Sequence, residues 1–367
     1  MNMFSFPNYM KFGVIFSFLA SVGCQSQTKP VEQETAEADT IGVVAEAAAE
    51  LPRLTGCDSL TLPAQAYASL VDDKASLRTL SKVDSLIARD MSDLREKAQV
   101  VYYPFSGPDF LYPYTLFPDA DTYILLGLEN TGSPLRDLTS DTTRVAKDIV
   151  KAYANTLRVY LHSSFFRTNS MRNDLASHTI DGTVPVLEML MAKSGCEILS
   201  VTYKKIDAEG VMTDAEKQTR MVEIRFFRTS TPTHEQRLYY FSCNAADSGL
   251  PGSLHKYLNQ SLEGKSVVTF LKAASYLMHK SYFSKIRNSI LDHSYAVLQD
   301  DSGIPYRYFE GWDITLYGKY RRPLRLFAEL TYQPELDSLY EAPTVRPLNF
   351  RIGYNDPSNW MVARKAR

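Results

Sequence analysis

The stretch from 99 to 129 constrains the fold more than any other part of the sequence. It begins with the β-rich run QVVYYPF (99–105), continues through a loop that contains Pro and Gly, and ends with the apolar run DTYILLGLE (121–129). A continuous apolar run without polar alternation is typical of a strand that is buried on both faces of a parallel sheet. Two parallel neighbours need a crossover connection, usually a helix. The stretch therefore predicts a βαβ-like unit in the N-terminal part of the folded body.

Helical patterns lie on both sides of this unit and inside it. In 72–98 the apolar residues recur every three or four positions, which predicts an amphipathic helix. The short aromatic stretch PDFLYPYTLF (108–117) predicts a helical turn that is broken at Pro113. The segment 140–165 has the clearest helical spacing of the chain, and Ser140 or Asp141 is suited to cap it.

The sequence pattern changes from helical spacing to β-rich runs after residue 195. Three β-rich runs with polar, turn-forming separations predict an antiparallel meander over 196–206, 220–229 and 237–243. The sequence further predicts helices over 253–262, 266–280 and 284–294, and strands over 295–301, 306–309 and 313–320. The predicted fold class is mixed α/β, with a βαβ-like N-terminal part, antiparallel strands in the centre, and helices plus a β-hairpin at the C-terminal end.

The N-terminus is typical of an exported protein. Lys11 precedes the apolar run FGVIFSFLA (12–20), which has the length of a signal-peptide core and is too short to span a bilayer. The following SVGC (21–24) resembles a bacterial lipoprotein signal. That resemblance implies removal of 1–23 and acylation of Cys24, with palmitate among the acyl chains. Ser21 departs from the Leu most common three residues before the cysteine, which leaves open an ordinary leader and release into the periplasm.

The residues behind Cys24 are predicted to form a flexible tether, 24–50. They contain six acidic residues against one lysine and no aromatic residue. Such a segment cannot bury enough apolar surface to offset the entropy cost of ordering it. The folded body is therefore predicted over 51–367, either as one domain or as subdomains 51–190 and 191–367.

Charge and cysteine usage limit the partners. A formal net charge of −2 gives no reason to expect a nucleic-acid partner. Beyond Cys24 the cysteines are Cys57, Cys196 and Cys243, without the CxxC spacing of zinc or redox sites. They allow one disulfide at most, or Cys196 and Cys243 serve as small core residues. No motif in the sequence predicts a metal or a cofactor.

The loop YYPFSGPD (102–109) has three interpretations. A strand, a Gly loop, a helix and a strand that ends in Glu129, 22 residues after Gly107, form the skeleton of a nucleotide-binding unit. Against this, one Gly followed by Pro108 does not make a G-x-G-x-x-G loop, and Pro108 has no N–H for a phosphate. The loop is otherwise a turn in which Asp109 caps the next helix, or the wall of a non-nucleotide pocket. The candidate ligand-binding residues here are Ser106, Asp109 and Glu129.

A second candidate site is QDDSGIPYRY (299–308). Adjacent residues of a strand point to opposite faces, so Asp300 and Asp301 are not expected to form a catalytic dyad, although one of them is placed to face a pocket beside Ser302. The alternative is a hairpin turn in which Asp and Ser bond to their own backbone and Gly303 adopts an unusual φ. Two local oxygen ligands are too few for a hard cation. The candidate ligand-binding residues here are Asp300, Asp301 and Tyr306.

The two stretches VYYPFSGPDFLYPYTLFPDADTYILLGLE (101–129) and YAVLQDDSGIPYRYF (295–309) resemble uncharacterised bacterial lipoproteins of the Bacteroidota kind. The resemblance implies export and lipidation and carries no activity with it. It places the protein in the cell envelope, anchored through Cys24 at the outer membrane and facing the periplasm or the cell surface.

We expect the folded body to be a ligand-binding or accessory module, whose partner is an unidentified small molecule or an envelope protein. The alternative is an envelope hydrolase or transferase with its site around 106–109 and 300–306. A third interpretation, a structural component of the envelope, predicts a broad exposed apolar patch. Convergence of the two candidate segments on one pocket would favour either of the first two.

Overall fold

The computed structural model describes residues 74–135, 181–325, 327 and 331–366. The predicted leader 1–23, the predicted tether 24–50, Cys57 and the predicted helix 140–165 lie outside these described residues. Within them, every helix is too short or too polar to cross a lipid bilayer.

The described residues build one ten-stranded mixed sheet, which confirms the predicted α/β class. In chain order the strands are β1 Val100–Tyr103, β2 Thr122–Gly127, β3 Cys196–Ile206, β4 Met212–Asp214, β5 Met221–Arg228, β6 Thr231–Ser242, β7 Val267–Leu271, β8 Ser294–Gln299, β9 Trp312–Gly318 and β10 Asn359–Lys365. Across the sheet they lie in the order β4-β3-β5-β6-β2-β1-β7-β8-β10-β9. The sheet therefore interleaves strands from both sides of residue 190.

The centre of the sheet consists of five parallel strands, β6-β2-β1-β7-β8. By chain position they stand third, second, first, fourth and fifth, which is the order of a doubly wound α/β sheet. The order reverses between β1 and β7. Antiparallel strands extend both sides: β3, β4 and β5 beyond β6, and β9 and β10 beyond β8. The predicted meander is present, and its last strand also joins the parallel centre through β2.

Helices cover both faces of this sheet. One face carries α1 Lys74–Asp90, α2 Ser92–Lys97, α3 Leu111–Leu116 and α4 Val184–Lys193, and the other carries α5 Gly252–Leu262, α6 Ser284–His293 and α7 Pro334–Tyr340. Because successive side chains of a strand point to opposite faces, β1 contributes Val101 and Tyr103 to the first core and Val100 and Tyr102 to the second. Burial on both faces explains why β1 and β2 are continuous apolar runs.

The local sequence explains where these helices begin and end. The predicted helix 72–98 is present as α1 and α2, and the two are separated at Met91, whose φ of −144° is not helical. The predicted break of α3 at Pro113 is wrong, since α3 continues through this residue. Pro113 is the third residue of α3, where the N–H that proline lacks would have no intrahelical acceptor.

Two further predictions are wrong. The segment 266–280 is not a helix: Val267–Leu271 forms β7, the buried neighbour of β1. Its β-branched run Val-Val-Thr fits a pleated, buried strand, and its apolar spacing alone does not distinguish strand from helix. The segment 306–309 is not a strand, because Tyr306–Tyr308 forms a 3-10 turn. The antiparallel strand pair at the C-terminal end is instead β9 with β10.

Candidate functional site

A cavity of about 250 Å³ lies where the strand order reverses. The loops that follow β1, β2, β6 and β7 form most of its wall. In open α/β sheets, ligands bind in the crevice outside the carboxyl ends of the strands at this position. The lining residues include Ser106, Gly107, Gly127, Glu129, Asn244 and Ser275.

Two glycines bring the ends of β1 and β2 close together. Gly107 has a φ of +54°, a left-handed conformation that favours glycine. A Cβ atom at Gly127 would lie 2.9 Å from the Cα atom of Gly107 and 2.7 Å from the Oε2 atom of Glu129. Such contacts leave no room for a side chain at 127. The Glu129 carboxylate therefore lies against bare backbone at the edge of the cavity.

The cavity wall contains strained backbone. Within the described residues, the non-glycine residues with a positive φ are Phe105 at 65°, Ala273 at 52°, Ser275 at 53° and Tyr276 at 55°. The first three line the cavity. A left-handed conformation costs a non-glycine residue roughly 1–2 kcal/mol. It persists where surrounding contacts determine it, and ligand sites are among the places where it is found.

The strained segment after β7 is held in place by hydrogen bonds that it donates to the loop after β8. The backbone N–H of Ala273 donates to Oδ2 of Asp300 at 3.0 Å, and the N–H of Ala274 donates to the Ser302 hydroxyl at 2.8 Å. The Tyr276 hydroxyl donates to Oδ2 of Asp301 at 2.7 Å. The loop after β8 therefore fixes the loop after β7 from behind the cavity.

Asp300 and Asp301 follow the end of β8 and accept hydrogen bonds from different groups. Oδ1 of Asp301 accepts hydrogen bonds at 2.9 Å from both Asn355 and Asn359. Burial, followed by the charge of Asp301, raises the pKa of Asp300, and burial also raises the pKa of Asp301. Neither residue lines the cavity.

The turn predicted at 300–303 is present, with one difference. The backbone N–H of Ser302 donates to Oδ1 of Asp300 at 3.1 Å, which is the expected bond of a side chain to its own backbone. The prediction that Gly303 has an unusual φ is wrong, because its φ is not among the positive ones. A Cβ atom at Gly303 would instead lie 2.4 Å from Oε1 of Gln299, so close packing requires glycine here.

A buried ion pair joins the ends of β1 and β7. Nζ of Lys272 lies 2.6 Å from Oδ2 of Asp109, which also accepts the Tyr103 hydroxyl at 3.0 Å. The same Nζ lies 3.4 Å from the ring centroid of Tyr112, a cation–π distance. Burial lowers the pKa of Lys272, while Asp109 acts in the opposite direction. The predicted cap is weak by comparison, since the N–H of Tyr112 lies 3.4 Å from Oδ1 of Asp109.

The structure thus separates the predicted site residues into three groups. Ser106 and Glu129 line the cavity, whereas Asp109, Asp300 and Asp301 lie behind it. Tyr306 lies elsewhere, beside β9 and α7, and its N–H donates to Oε1 of Gln333 at 2.7 Å. Asp109 and Asp300 both act on the charge of Lys272, so the two candidate segments approach each other at this lysine.

Sequence reasoning missed four contributors to this region: Lys272, Ala273, Ser275 and Tyr354. The first three were hidden by the helix predicted over 266–280. A signal was present, because Lys272 follows directly after the buried run VVTFL. Tyr354 comes from the segment before β10, and its hydroxyl donates to the Ala273 carbonyl at 2.7 Å. No local pattern identifies that contact.

The charges around the cavity are unevenly distributed. Among the lining residues that the structure describes, Glu129 is the one ionisable carboxylate, and none is a Lys, Arg or His. Among the described residues, no three His, Cys, Asp or Glu side chains cluster as a metal ion would require. Cys243 also lines the cavity, and its thiol is free, as is that of Cys196 in the core. Burial raises the pKa of both thiols to about 12, so both remain protonated and pack as small apolar residues.

Comparisons of the chain with protein-family models, with curated proteins and with solved structures found no match. The chemistry of the site is therefore inferred from its own residues and their geometry.

Proposed function

We propose that this protein is a lipid-anchored protein of the bacterial cell envelope whose folded body binds a small molecule in the cavity at the strand-order reversal. One observation carries the ligand-binding part. The carboxyl ends of four parallel strands meet at one cavity, and its strained loop is held by buried hydrogen bonds. The cavity is slightly below the usual range of about 300–1,000 Å³ for ligand pockets, which suits a small ligand.

The anchor is supported by the sequence. The signal resemblance ends at Cys24, and a diacylglyceryl group on its sulfur plus an acyl chain on its nitrogen would anchor stably, at about 0.8 kcal/mol per buried methylene. The polar residues 24–50 would then act as a tether, with a root-mean-square reach of about 30 Å for a flexible chain. This arrangement would present the cavity at the outer membrane, to the periplasm or the outside.

Metabolic labelling with an alkyne analogue of palmitate tests the anchor. We expect the wild-type chain and Cys57→Ala to incorporate the label, and Cys24→Ala to lose it. Label on Cys24→Ala, or its absence from the wild-type chain, would contradict lipidation at Cys24.

A thermal-shift screen of the mature chain carrying Cys24→Ala tests ligand binding. The compounds are sugars, amino acids, nucleosides, nucleotides, S-adenosylmethionine and peptidoglycan fragments. A ligand at 100 times its dissociation constant stabilises the fold by about 2.7 kcal/mol, which shifts the midpoint by a few degrees.

Two matched variants locate the site. Leu128 is exposed and lines the cavity, so Leu128→Trp should abolish the shift by obstructing the entrance. Leu199 is similarly exposed and lies on β3, away from the cavity, so Leu199→Trp should keep it. The ligand-binding proposal fails if no compound shifts the midpoint, or if the shift survives Leu128→Trp.

An enzymatic function at this place would have to use groups that face the cavity. Asp109 and Asp300 approach each other at Lys272, which supports a shared region for the two predicted segments. Of the predicted site residues, however, the two that line the cavity are Ser106 and Glu129. A hydrolase or transferase built on the predicted residues would therefore depend on these two, and ligand binding is the function that the geometry favours.

A further inference from the structure

We infer that the exposed face of α1 is a docking surface for a membrane that contains anionic lipids, and that it contacts the phosphate groups of their headgroups. This inference goes beyond ligand binding in the cavity, and its choice of a membrane as the partner rests on the proposed anchor at Cys24. Three features of the described residues support it: the spacing of the basic residues on α1, the arginine that a facing segment adds, and the depression between the two.

α1 places its basic residues on one stripe. Arg78, Lys82 and Arg89 follow one another at intervals of four and seven residues, and Ser85 lies between the last two. At 3.6 residues per turn, these four positions fall on one face of the helix. All four residues are exposed, whereas Ile87 on the opposite side is buried in the core. The stripe therefore points away from the core.

A segment that faces α1 adds a fourth cation. Nη1 of Arg346 lies 3.5 Å from Oδ2 of Asp90, and Nε of Arg89 lies 2.7 Å from Oδ1 of the same carboxylate. Asp90 thus holds the two guanidinium groups beside each other. One residue of the stripe also contacts this segment directly, since Nζ of Lys82 donates to the Asn349 carbonyl at 3.1 Å. These contacts complete the basic surface, which consists of Arg78, Lys82, Arg89 and Arg346.

The acidic residues of α1 do not cancel the charge of the basic surface. The side chain of Asp90 is 10% exposed and offsets one of the four cations. Asp84 lies about 160° around the helix from Lys82, and it pairs with Arg95 of α2 at 2.7 Å. Among these residues an excess of positive charge therefore remains on the exposed face. A leaflet with anionic lipids has a negative surface potential, which attracts basic residues of this kind.

A depression of about 200 Å³ lies between the stripe and the facing segment. Lys82 and Arg89 line it from α1, and Pro347 and Asn349 line it from the other side. Lysine binds a phosphate as a point charge, and arginine binds it through a planar pair of N–H donors. The depression thus gives a headgroup phosphate room between two cations. It shares none of its described lining residues with the cavity at the strand-order reversal, so a membrane at α1 would not fill that cavity.

The form and the position of the basic surface favour a membrane as the partner. From Arg78 to Arg89 the stripe is about 17 Å long, which suits the repeated phosphates of a lipid surface better than one small anion. α1 is also the first described helix after Cys24 along the chain. Acyl chains and a basic surface act together in stable membrane attachment. Here the acyl chains would hold the protein at the membrane, and the basic surface would determine which side of the folded body faces it.

Vesicle binding of the mature chain carrying Cys24→Ala tests the inference, because this substitution removes the residue that would be acylated. The vesicles contain phosphatidylcholine alone or phosphatidylcholine with an equal amount of phosphatidylglycerol, and co-sedimentation measures the bound fraction. We expect the chain to bind the anionic vesicles at least tenfold more tightly than the neutral ones. The difference in affinity should shrink as salt rises, since salt screens exposed charges.

Two matched triple variants locate the surface. Each basic residue near an anionic leaflet contributes about a fivefold increase in affinity, so replacing Arg78, Lys82 and Arg89 together by Gln should weaken binding at least tenfold. Arg78→Gln alone should weaken binding about fivefold, which keeps the test valid if the triple variant does not fold. A control variant makes the same change in net charge at exposed lysines on β3, between β4 and β5, and on α5, and it should keep the wild-type affinity. The control lysines are Lys205, Lys217 and Lys256.

The outcomes separate this inference from the proposed anchor. Equal binding to both kinds of vesicle, no binding to either, or wild-type affinity in the triple variant and in Arg78→Gln overturns the docking surface. Inhibition by soluble glycerol 3-phosphate, at the phosphate concentration of the vesicles, would replace the membrane by a site for a single phosphate and would also overturn it. Palmitate labelling decides the anchor independently, since the chain used with the vesicles carries Cys24→Ala. Loss of the docking surface therefore leaves the anchor and the cavity as they stand.

Discussion

The two sides of the carboxyl edge of the sheet differ in what their acidic residues contact. On the β1–β2 side, Glu129 lies at the edge of a cavity, beside two glycines. On the β7–β8 side, Asp300 and Asp301 are surrounded by donors from the protein: backbone N–H groups, a tyrosine hydroxyl and two asparagines. Both sides hold buried carboxylates at the ends of parallel strands, yet the first side faces a cavity and the second is closed.

A carboxylate at a strand end has two distinct uses. A buried carboxylate must be compensated by donors or cations, because its desolvation is costly. On the closed side, protein groups provide this compensation and the acids fix the conformation of the neighbouring loop. On the cavity side, the acid lines a cavity in which a bound ligand would contact it.

The ion pair that joins the two sides should matter most for stability. Asp109→Asn would remove the carboxylate that lies 2.6 Å from the buried Lys272 ammonium, and breaking a buried pair in this way typically costs about 3–5 kcal/mol. Urea denaturation measures the loss. Adding Lys272→Met to Asp109→Asn removes both charges and should recover more than half of it. A loss below about 1 kcal/mol for Asp109→Asn would mean that the pair does not join the two strand ends.

The pH dependence of stability should contain a contribution from His279 that destabilises the protein in acid. Burial lowers the pKa of His279 to about 4, so between pH 6.5 and 4 the unfolded state binds more protons than the folded state. The contribution of His279 to stability therefore falls as pH falls through this window, by up to about 3 kcal/mol. Burial raises the pKa of Glu188 to about 7 and also raises the pKa of Asp300, and both groups contribute in the opposite direction over much of the same range.

The difference in the free energy of unfolding between the wild type and His279→Phe isolates the contribution of this histidine. Phe retains a ring against Tyr276, whose centroid lies 5.4 Å from that of His279, and does not titrate. Relative to the wild type, His279→Phe should gain stability as the pH is lowered from 6.5 to 4. A difference in the free energy of unfolding that does not change with pH would show that the pKa of His279 is the same in the folded and unfolded states.

A single hydrogen bond of the closed side should have an intermediate effect. Tyr276→Phe removes the hydroxyl that donates to Asp301, and a hydrogen bond to a charged group contributes about 1.5–3 kcal/mol. Thermal or urea unfolding measures the effect. The matched control is Tyr282→Phe at an exposed tyrosine, which should change stability by less than about 0.5 kcal/mol. Equal effects of the two variants would argue against a fixed network behind the cavity.

The cavity side should tolerate substitution best. Glu129→Gln keeps the shape of the side chain and leaves the ion pair between Asp109 and Lys272 intact, so we expect it to cost less stability than Asp109→Asn. Unfolding of the ligand-free variant measures it. A loss of stability as large as that of Asp109→Asn would mean that Glu129 stabilises the fold in the same way as Asp109.

The sequence predicted the fold where strand and helix patterns were unambiguous. Burial on both faces made β1 and β2 recognisable, and the spacing of Leu254, Leu258 and Leu262 identified α5. The sequence did not identify β7, because a five-residue apolar run next to helical spacing fits either a strand or a helix. That error concealed the reversal of the strand order, which depends on β7 lying beside β1. The position of the cavity was therefore predictable only in part.

The site residues show the same limit. Ser106 and Glu129 were accessible to sequence reasoning because they follow predicted parallel strands. Whether Asp109 contacts a ligand or a buried lysine depends on a residue 163 positions away, Lys272, and on the register of β7. Tyr306 was proposed through its closeness in sequence to Asp301, yet the 3-10 turn directs it towards β9 and α7. Such contacts follow from tertiary packing and not from local pattern.

The most direct test of the contrast is calorimetric titration of a ligand found in the screen against Leu128→Trp and Tyr276→Phe, each at a temperature where it is folded. We predict that Tyr276→Phe binds within threefold of the wild-type affinity, and that Leu128→Trp shows no binding. Normal binding by Leu128→Trp together with loss of binding in Tyr276→Phe would place the ligand on the closed side, and would contradict the assignment of the cavity as the binding site.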